Sequence, residues 1–104
     1  MPKYAFVYHG GARPETPEEG AKVMAAWNTW FTKMGAAVVD GGNPVGESKT
    51  VSNKGVANDG GANPVSGMSF IEAADMNAAC TLAKGCPMVV DGSGTVEVAE
   101  VMPM

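Results

Sequence analysis

His9 is the only side chain in this sequence whose ordinary pKa lies near neutrality, which makes it the first candidate for acid–base chemistry. It follows a run of strand-forming residues and precedes Gly10-Gly11. Strand ends and loops are where sites are often built. A histidine base needs a carboxylate to orient it, and Asp40 and Glu47 are the candidates. The plain alternative for His9 is a strand-end ring bonded to backbone or water, and for Asp40 a turn-initiating residue. Arg13, the sole arginine, follows Gly10-Gly11-Ala12. Flexible amides beside a guanidinium could hold a carboxylate or phosphate, against the alternative of a solvated loop arginine. The loop lacks the Gly-Lys-Ser/Thr signature of a P-loop. Tyr8 and Trp27 are candidates to line a ligand cleft; the plain alternative for Trp27 is the core, and for Tyr8 stacking across a dimer. Glu72, Glu97 and Glu100 lie in strand-like segments, where burial would raise a carboxyl pKa.

Metal and redox chemistry have little to work with. One histidine and two cysteines, Cys80 and Cys86, are scattered rather than set at ligand spacing. No metal site and no cofactor is expected. Two cysteines make no disulfide framework, and no signal-like apolar segment opens the chain, so a cytoplasmic location is expected.

The elements that would position these residues follow from local pattern. Lys3 to Tyr8 reads as a strand, with Tyr4, Phe6 and Tyr8 on one face and Ala5, Val7 and His9 on the other. Thr16-Pro17-Glu18-Glu19 opens a helix: Thr16 caps, Pro17 takes the first position and Glu19 completes a capping box. Val23, Met24, Trp27, Trp30, Phe31 and Met34 fall on one side of it, and Gly35 ends it. Ala36 to Asp40 is a second strand. Residues 41–66 carry many Gly, Asn and Ser and two Asn-Pro pairs, with a strand-like centre at Lys49-Thr50-Val51. They read as a long irregular hairpin region with extra short strands. Met68 to Ala73 is the next strand. Asp75 caps a helix over Met76 to Lys84, closed by Gly85 and Pro87, and Thr95 to Met102 is the last strand.

The order β-α-β-β-α-β predicts a single ferredoxin-like α+β domain over 1–104, with two helices on one face of a four-stranded antiparallel sheet. Strands one and two would not be neighbours. Both strand parities carry apolar side chains, such as Phe6 with Val7 and Phe70 with Ile71. A sheet wet on one side would alternate more cleanly. A second copy of the chain is therefore expected on the uncovered face, giving a homodimer.

Composition excludes other classes. The chain has 104 residues, 45% hydrophobic and 17% charged, so it holds a core and is not disordered. Its net charge is −4, from 11 acidic and 7 basic residues with no basic cluster, which argues against nucleic acid. No apolar run is long enough to cross a membrane.

The block Gly35-Ala36-Ala37-Val38-Val39-Asp40-Gly41-Gly42-Asn43-Pro44, followed by Lys49-Thr50-Val51, resembles the YCII-related proteins. So do Ser66 to Asp75, Ala83-Lys84-Gly85-Cys86-Pro87 and Val96 to Val101. The resemblance spans nearly the whole chain and implies a dimeric α+β barrel. Some members are similar to dehydrochlorinases of hydroxyquinone breakdown, for which a His-Asp pair is the proposed apparatus. This chain departs twice. The family's helix-borne His falls near Met24, and the helix has none; the Asp-Gly-Pro-Phe motif of one branch is replaced by Asp59-Gly60-Gly61-Ala62. That catalytic assignment does not transfer. Two functions remain: binding of a small aromatic or carbonyl-containing molecule in a cleft between sheet and helices, rimmed by His9 and residues 41–66, with His-assisted chemistry; or a non-catalytic dimeric module that binds a ligand or a protein.

Overall fold

A computed structural model describes residues 1–11 and 13–104. Eight-residue strand β1 (Lys3–Gly10) leads into α1 (Pro17–Met34). Thr16 Oγ1 accepts the Glu19 amide at 3.1 Å, the cap its residue type predicts. Glu19 reaches back to the Glu15 amide at 2.9 Å, one residue earlier than in an ideal capping box. Gly35 takes φ 55°, ends the helix and enters a 3₁₀ turn over Gly35–Ala37. The second strand therefore starts later than expected and runs further: β2 is Val38–Pro44. The expected irregular region contains a small separate hairpin, β3 (Thr50–Ser52) with β4 (Gly55–Ala57). Next come β5 (Val65–Glu72) and α2 (Met76–Ala83), capped by the Asp75 carboxylate on the Ala78 amide at 2.8 Å. A short helix absent from the sequence reading follows, α3 (Pro87–Val90). Pro87 stops α2 from continuing, yet its fixed φ suits the first position of a new turn. The chain's last strand is β6 (Gly94–Glu100).

The main sheet has order β2-β5-β1-β6 with every pairing antiparallel. β5 separates β1 from β2, as the ferredoxin-like connection requires. Register puts Tyr4 opposite Ile71 and Phe6 opposite Ser69, so these side chains share the face under the helices. There they meet Trp30, Met34, Ala79, Ala83, Cys86 and Met88 in one buried cluster. Phe6 stacks on Trp30 with ring centroids 6.0 Å apart, and the Trp30 indole N–H donates to the Leu82 carbonyl at 3.0 Å.

The other face, turned away from that cluster, carries Ala5, Val7, Phe70 and Ala99, all half-buried. Met68 on that strand parity is 42% exposed. The same register assigns the strand carboxylates. Glu97, opposite Val7, and Glu72, opposite Lys3, stand on this open face; Glu100, opposite Tyr4, stands on the helix side.

Residues 45–64 form an arm that extends the β2–β5 hairpin. The β3–β4 pair makes the arm's middle, with Val51 opposite Val56 and both exposed. The radius of gyration, 14.8 Å, exceeds the roughly 13 Å of a compact chain this long. No helix among the described residues is long and apolar enough to cross a membrane.

Candidate functional site

The first half of α1 packs less tightly than its sequence face predicts. Trp30 and Met34 are buried, Val23, Trp27 and Phe31 are half-buried, and Met24 is 62% exposed. The gap between this half of the helix and the sheet is a cleft of about 620 Å³. That volume lies within the usual range of small-molecule sites.

The cleft has an aromatic wall. Tyr8 meets Trp27 edge to face, centroids 4.9 Å apart, and Trp27 lies 5.9 Å from Phe31. The two tryptophans, indistinguishable by sequence face, thus divide: Trp30 is core and Trp27 borders the cleft. The floor includes three glycines, Gly41, Gly42 and Gly67, beside Asn43, Pro44, Ser66 and Met68. A side chain at Gly67 would press on the Tyr8 ring and the Asn43 carbonyl, both within 3.4 Å of its Cβ position. Gly41 and Gly42 fall where β2 bulges against β5, between the Asp40–Phe70 and Asn43–Met68 pairs.

A buried hydroxyl fixes that bulge. Ser69 donates to the Gly41 carbonyl at 2.6 Å and accepts from the Tyr8 hydroxyl at 2.7 Å. Both partners of Tyr8 and Ser69 are thereby satisfied inside the core. Burial pushes the Tyr8 hydroxyl far above the ordinary phenol range, and the Ser69 bond offsets only part of this. Tyr8 therefore stays a neutral donor rather than a titrating acid.

The start of α3 and the turn after it also line the cleft, with Met88, Asp91 and Ser93. Ser93 bonds, through its hydroxyl and its amide, hold the Asp91 carboxyl below its ordinary range. Asp91 and Lys22 are the charged residues at the cleft. Burial raises the Cys86 thiol, and Cys80 is exposed; both are free. Among the described residues no group of three or more His, Cys, Asp and Glu could hold a metal.

His9 does not border the cleft. It follows Tyr8 in a strand, so its ring points to the opposite, open face. There Nε2 lies 3.0 Å from Glu97 Oε1, and Nδ1 lies 3.0 Å and 3.2 Å from the Asn63 and Pro64 carbonyl oxygens. This corrects the expectation that His9 rims the cleft. Asp40 is not the carboxylate that pairs with it. β5 stands between their strands, and Asp40 Oδ1 accepts the Gly42 amide at 2.8 Å in a turn. Glu97, whose face the sequence left open, takes that place. Glu47 is exposed in the arm. Arg13 is exposed and does not line the cleft; Ala12, part of the loop expected to bind an anion, lies outside the described residues.

No protein-family model matches the chain, and comparison with curated proteins finds no match. Among solved structures it is similar to the 5-chloro-2-hydroxyhydroquinone dehydrochlorinase of Burkholderia phenoliruptrix AC1100, in complex with 2,5-dihydroxybenzoquinone. The TM-score is 0.57 at 15% identity, over 96% of this chain and 95% of that one. The two share a fold. It is the ferredoxin-like α+β fold used by dimeric α+β barrels, and identity this low carries neither activity nor residue roles across.

Sequence alone missed Met88, Asp91 and Ser93 in the lining of the cleft, and Ser69 as the buried hydroxyl that joins Tyr8 to the Gly41 bulge. Ser69 had a signal: it has the parity of Ile71 and so faces the helices. The other three had none, because α3 was not foreseen.

Proposed function

We propose that this protein binds a small aromatic molecule in the cleft between α1 and the sheet. The observation that carries this reading is the cleft's combination of about 620 Å³ with a Tyr8–Trp27–Phe31 wall over a glycine floor. A flat ring stacks on such a wall, and bare backbone leaves room for it. That a protein of the same fold is described with a dihydroxybenzoquinone supports the ligand class. The cleft's titratable side chains are Tyr8, Lys22, Asp91 and no histidine, so the reading is one of binding. Chemistry assisted by His9 would have to occur on the open face beside Glu97.

Gly41 supplies the test. Its φ is not positive, and a Cβ there would touch only Phe31, at 4.0 Å. Gly41→Leu therefore fills the cleft without backbone strain. A panel of small aromatic acids and quinols is screened by thermal shift on the wild type, Gly41→Leu and His9→Ala. A ligand at a hundred times its Kd stabilises by about 2.7 kcal/mol, a rise on the order of 10 °C for a domain this size. The rise is expected in the wild type and lost in Gly41→Leu. If no compound raises the wild-type melting temperature, the reading is wrong.

The protein acts as a homodimer in this reading, through the open sheet face. Ala5, Val7, Phe70 and Ala99 form an apolar strip that a second copy would cover by twofold symmetry. Sedimentation is expected to give the mass of two chains. Phe70→Lys, which places a charge in that strip, is expected to give one. A monomeric wild type would remove this part of the proposal. A cytoplasmic location fits the free thiols Cys80 and Cys86.

A further inference from the structure

The arm returns to the sheet through Asn63 and Pro64, directly before β5. The next residues, Ser66 and Gly67, border the cleft. Strand pairing is weak at this junction. The register slips between Tyr8 and His9, which face Gly67 and Val65, so Ser66 has no counterpart on β1. Its buried hydroxyl finds no hydrogen-bond partner among the described residues. The side chain that reaches across the junction is His9.

The ring of His9 is 11% exposed and lies between two sets of acceptors. Nδ1 faces the carbonyl oxygens of Asn63 and Pro64, and Nε2 faces the Glu97 carboxylate. Carbonyls and an ionised carboxylate only accept. A neutral imidazole has one N–H, so one of its nitrogens would turn a lone pair on an acceptor. An imidazolium donates from both and satisfies every contact. The charged surroundings are simple. Glu97 on β6 is the one carboxylate within 4.0 Å of the ring among the described residues. The remaining pairing partners of His9 are uncharged, Thr95 on β6 and Val65 on β5, and the arm root presents only its carbonyls.

We infer that protonated His9 is a positioning residue that clamps the root of the arm to β1 and β6, and so holds the Ser66–Gly67 part of the cleft floor in place. Losing the proton costs one side of the clamp. The arm root then loosens, and the cleft's affinity for its ligand falls as pH rises. The affinity arm of this inference rests on the cleft being the ligand site; the clamp itself does not.

Two readouts separate the two ideas. Hydrogen exchange of residues 58–68, corrected for intrinsic rates, is measured at about pH 5.5 and pH 8.5, which span the ordinary histidine titration. Exchange of the wild-type arm root is expected to be about tenfold faster at the higher pH, as for loss of one charge-assisted hydrogen bond. In His9→Gln, which cannot titrate, the two rates are expected to agree. An aromatic ligand from the screen is titrated at the same pH values, with sedimentation confirming the same assembly state. Its Kd is expected to rise several-fold in the wild type and stay level in His9→Gln. Equal wild-type exchange at both pH values overturns the clamp, as does a pH difference that survives in His9→Gln. If exchange behaves as expected and no aromatic compound binds, the clamp stands and the cleft reading falls. If exchange behaves as expected and a ligand binds with no pH dependence, the coupling to the cleft is refuted.

Discussion

Phe6→Ala is expected to destabilise the protein by about 3–5 kcal/mol, measured as a fall in the urea midpoint at unchanged slope. Phe6 is 0% exposed at the centre of the helix-covered face. Its ring stacks on Trp30, whose own position is held by the Leu82 carbonyl. Removing the ring leaves a cavity against Trp30 in the buried cluster, and the paired strands of the sheet resist closing in on it. A domain of this size has about 5–15 kcal/mol in total, so the variant should sit close to its unfolding threshold. A loss below about 1 kcal/mol would mean that the core is centred elsewhere.

The second large effect comes from a residue with no side chain. Gly42 has φ +69°, and a Cβ there would lie on the Met68 carbonyl oxygen, with the Met68 carbonyl carbon 2.9 Å away. Gly42→Ala must push β2 off β5. That breaks the Asp40–Gly42 turn and strains the bond from Ser69 to the Gly41 carbonyl. The expected cost exceeds about 3 kcal/mol, since backbone strain and a steric clash add to lost hydrogen bonds. Gly35→Ala is the comparison. Its φ of 55° with ψ of −120° is a backbone region that residues with a side chain avoid, a penalty of about 1–3 kcal/mol, but nothing lies within 4 Å of the added atom, so no clash adds to it. Comparable melting temperatures for the two variants would show that the strand contact at Gly42 is not tight. A stable Gly42→Ala protein would also lose the floor geometry of the cleft, because the same bulge carries Gly41.

Much of this architecture is legible because its signals are local. Thr16, Pro17 and Glu19 mark a helix start through atoms within a few residues, and Gly35 marks its end for the same reason. Asp75 does this for α2. Strand parity is local too, and it was enough to separate Tyr8 from His9. The expectation that both border one cleft conflicted with that parity, and the structure resolves the conflict in favour of Tyr8. Pro87 shows where a local signal has two meanings. It forbids the old helix and suits the first turn of a new one, and nothing nearby in sequence chooses between them. The α3 turn, and with it Asp91 in the lining of the cleft, was lost to that ambiguity.

The sequence by itself determined the β-α-β-β-α-β order of the main elements, the caps of α1 and α2, the composition of both sheet faces and the absence of a histidine on α1. Each of these depends on residue type and on spacing within one element. Tertiary structure decided which carboxylate meets His9, which tryptophan borders the cleft and where the cleft lies. Those answers depend on register. Glu97 and His9 are 88 residues apart and meet only because β6 pairs with β1 in one alignment. Trp27 and Trp30 lie on one helical face, and they divide because Trp30 meets core partners distant in the chain, such as Phe6 and the Leu82 carbonyl, while Trp27 borders the cleft. A slip of one residue would turn every strand side chain to the other face, so local pattern alone cannot report what only the assembled sheet specifies.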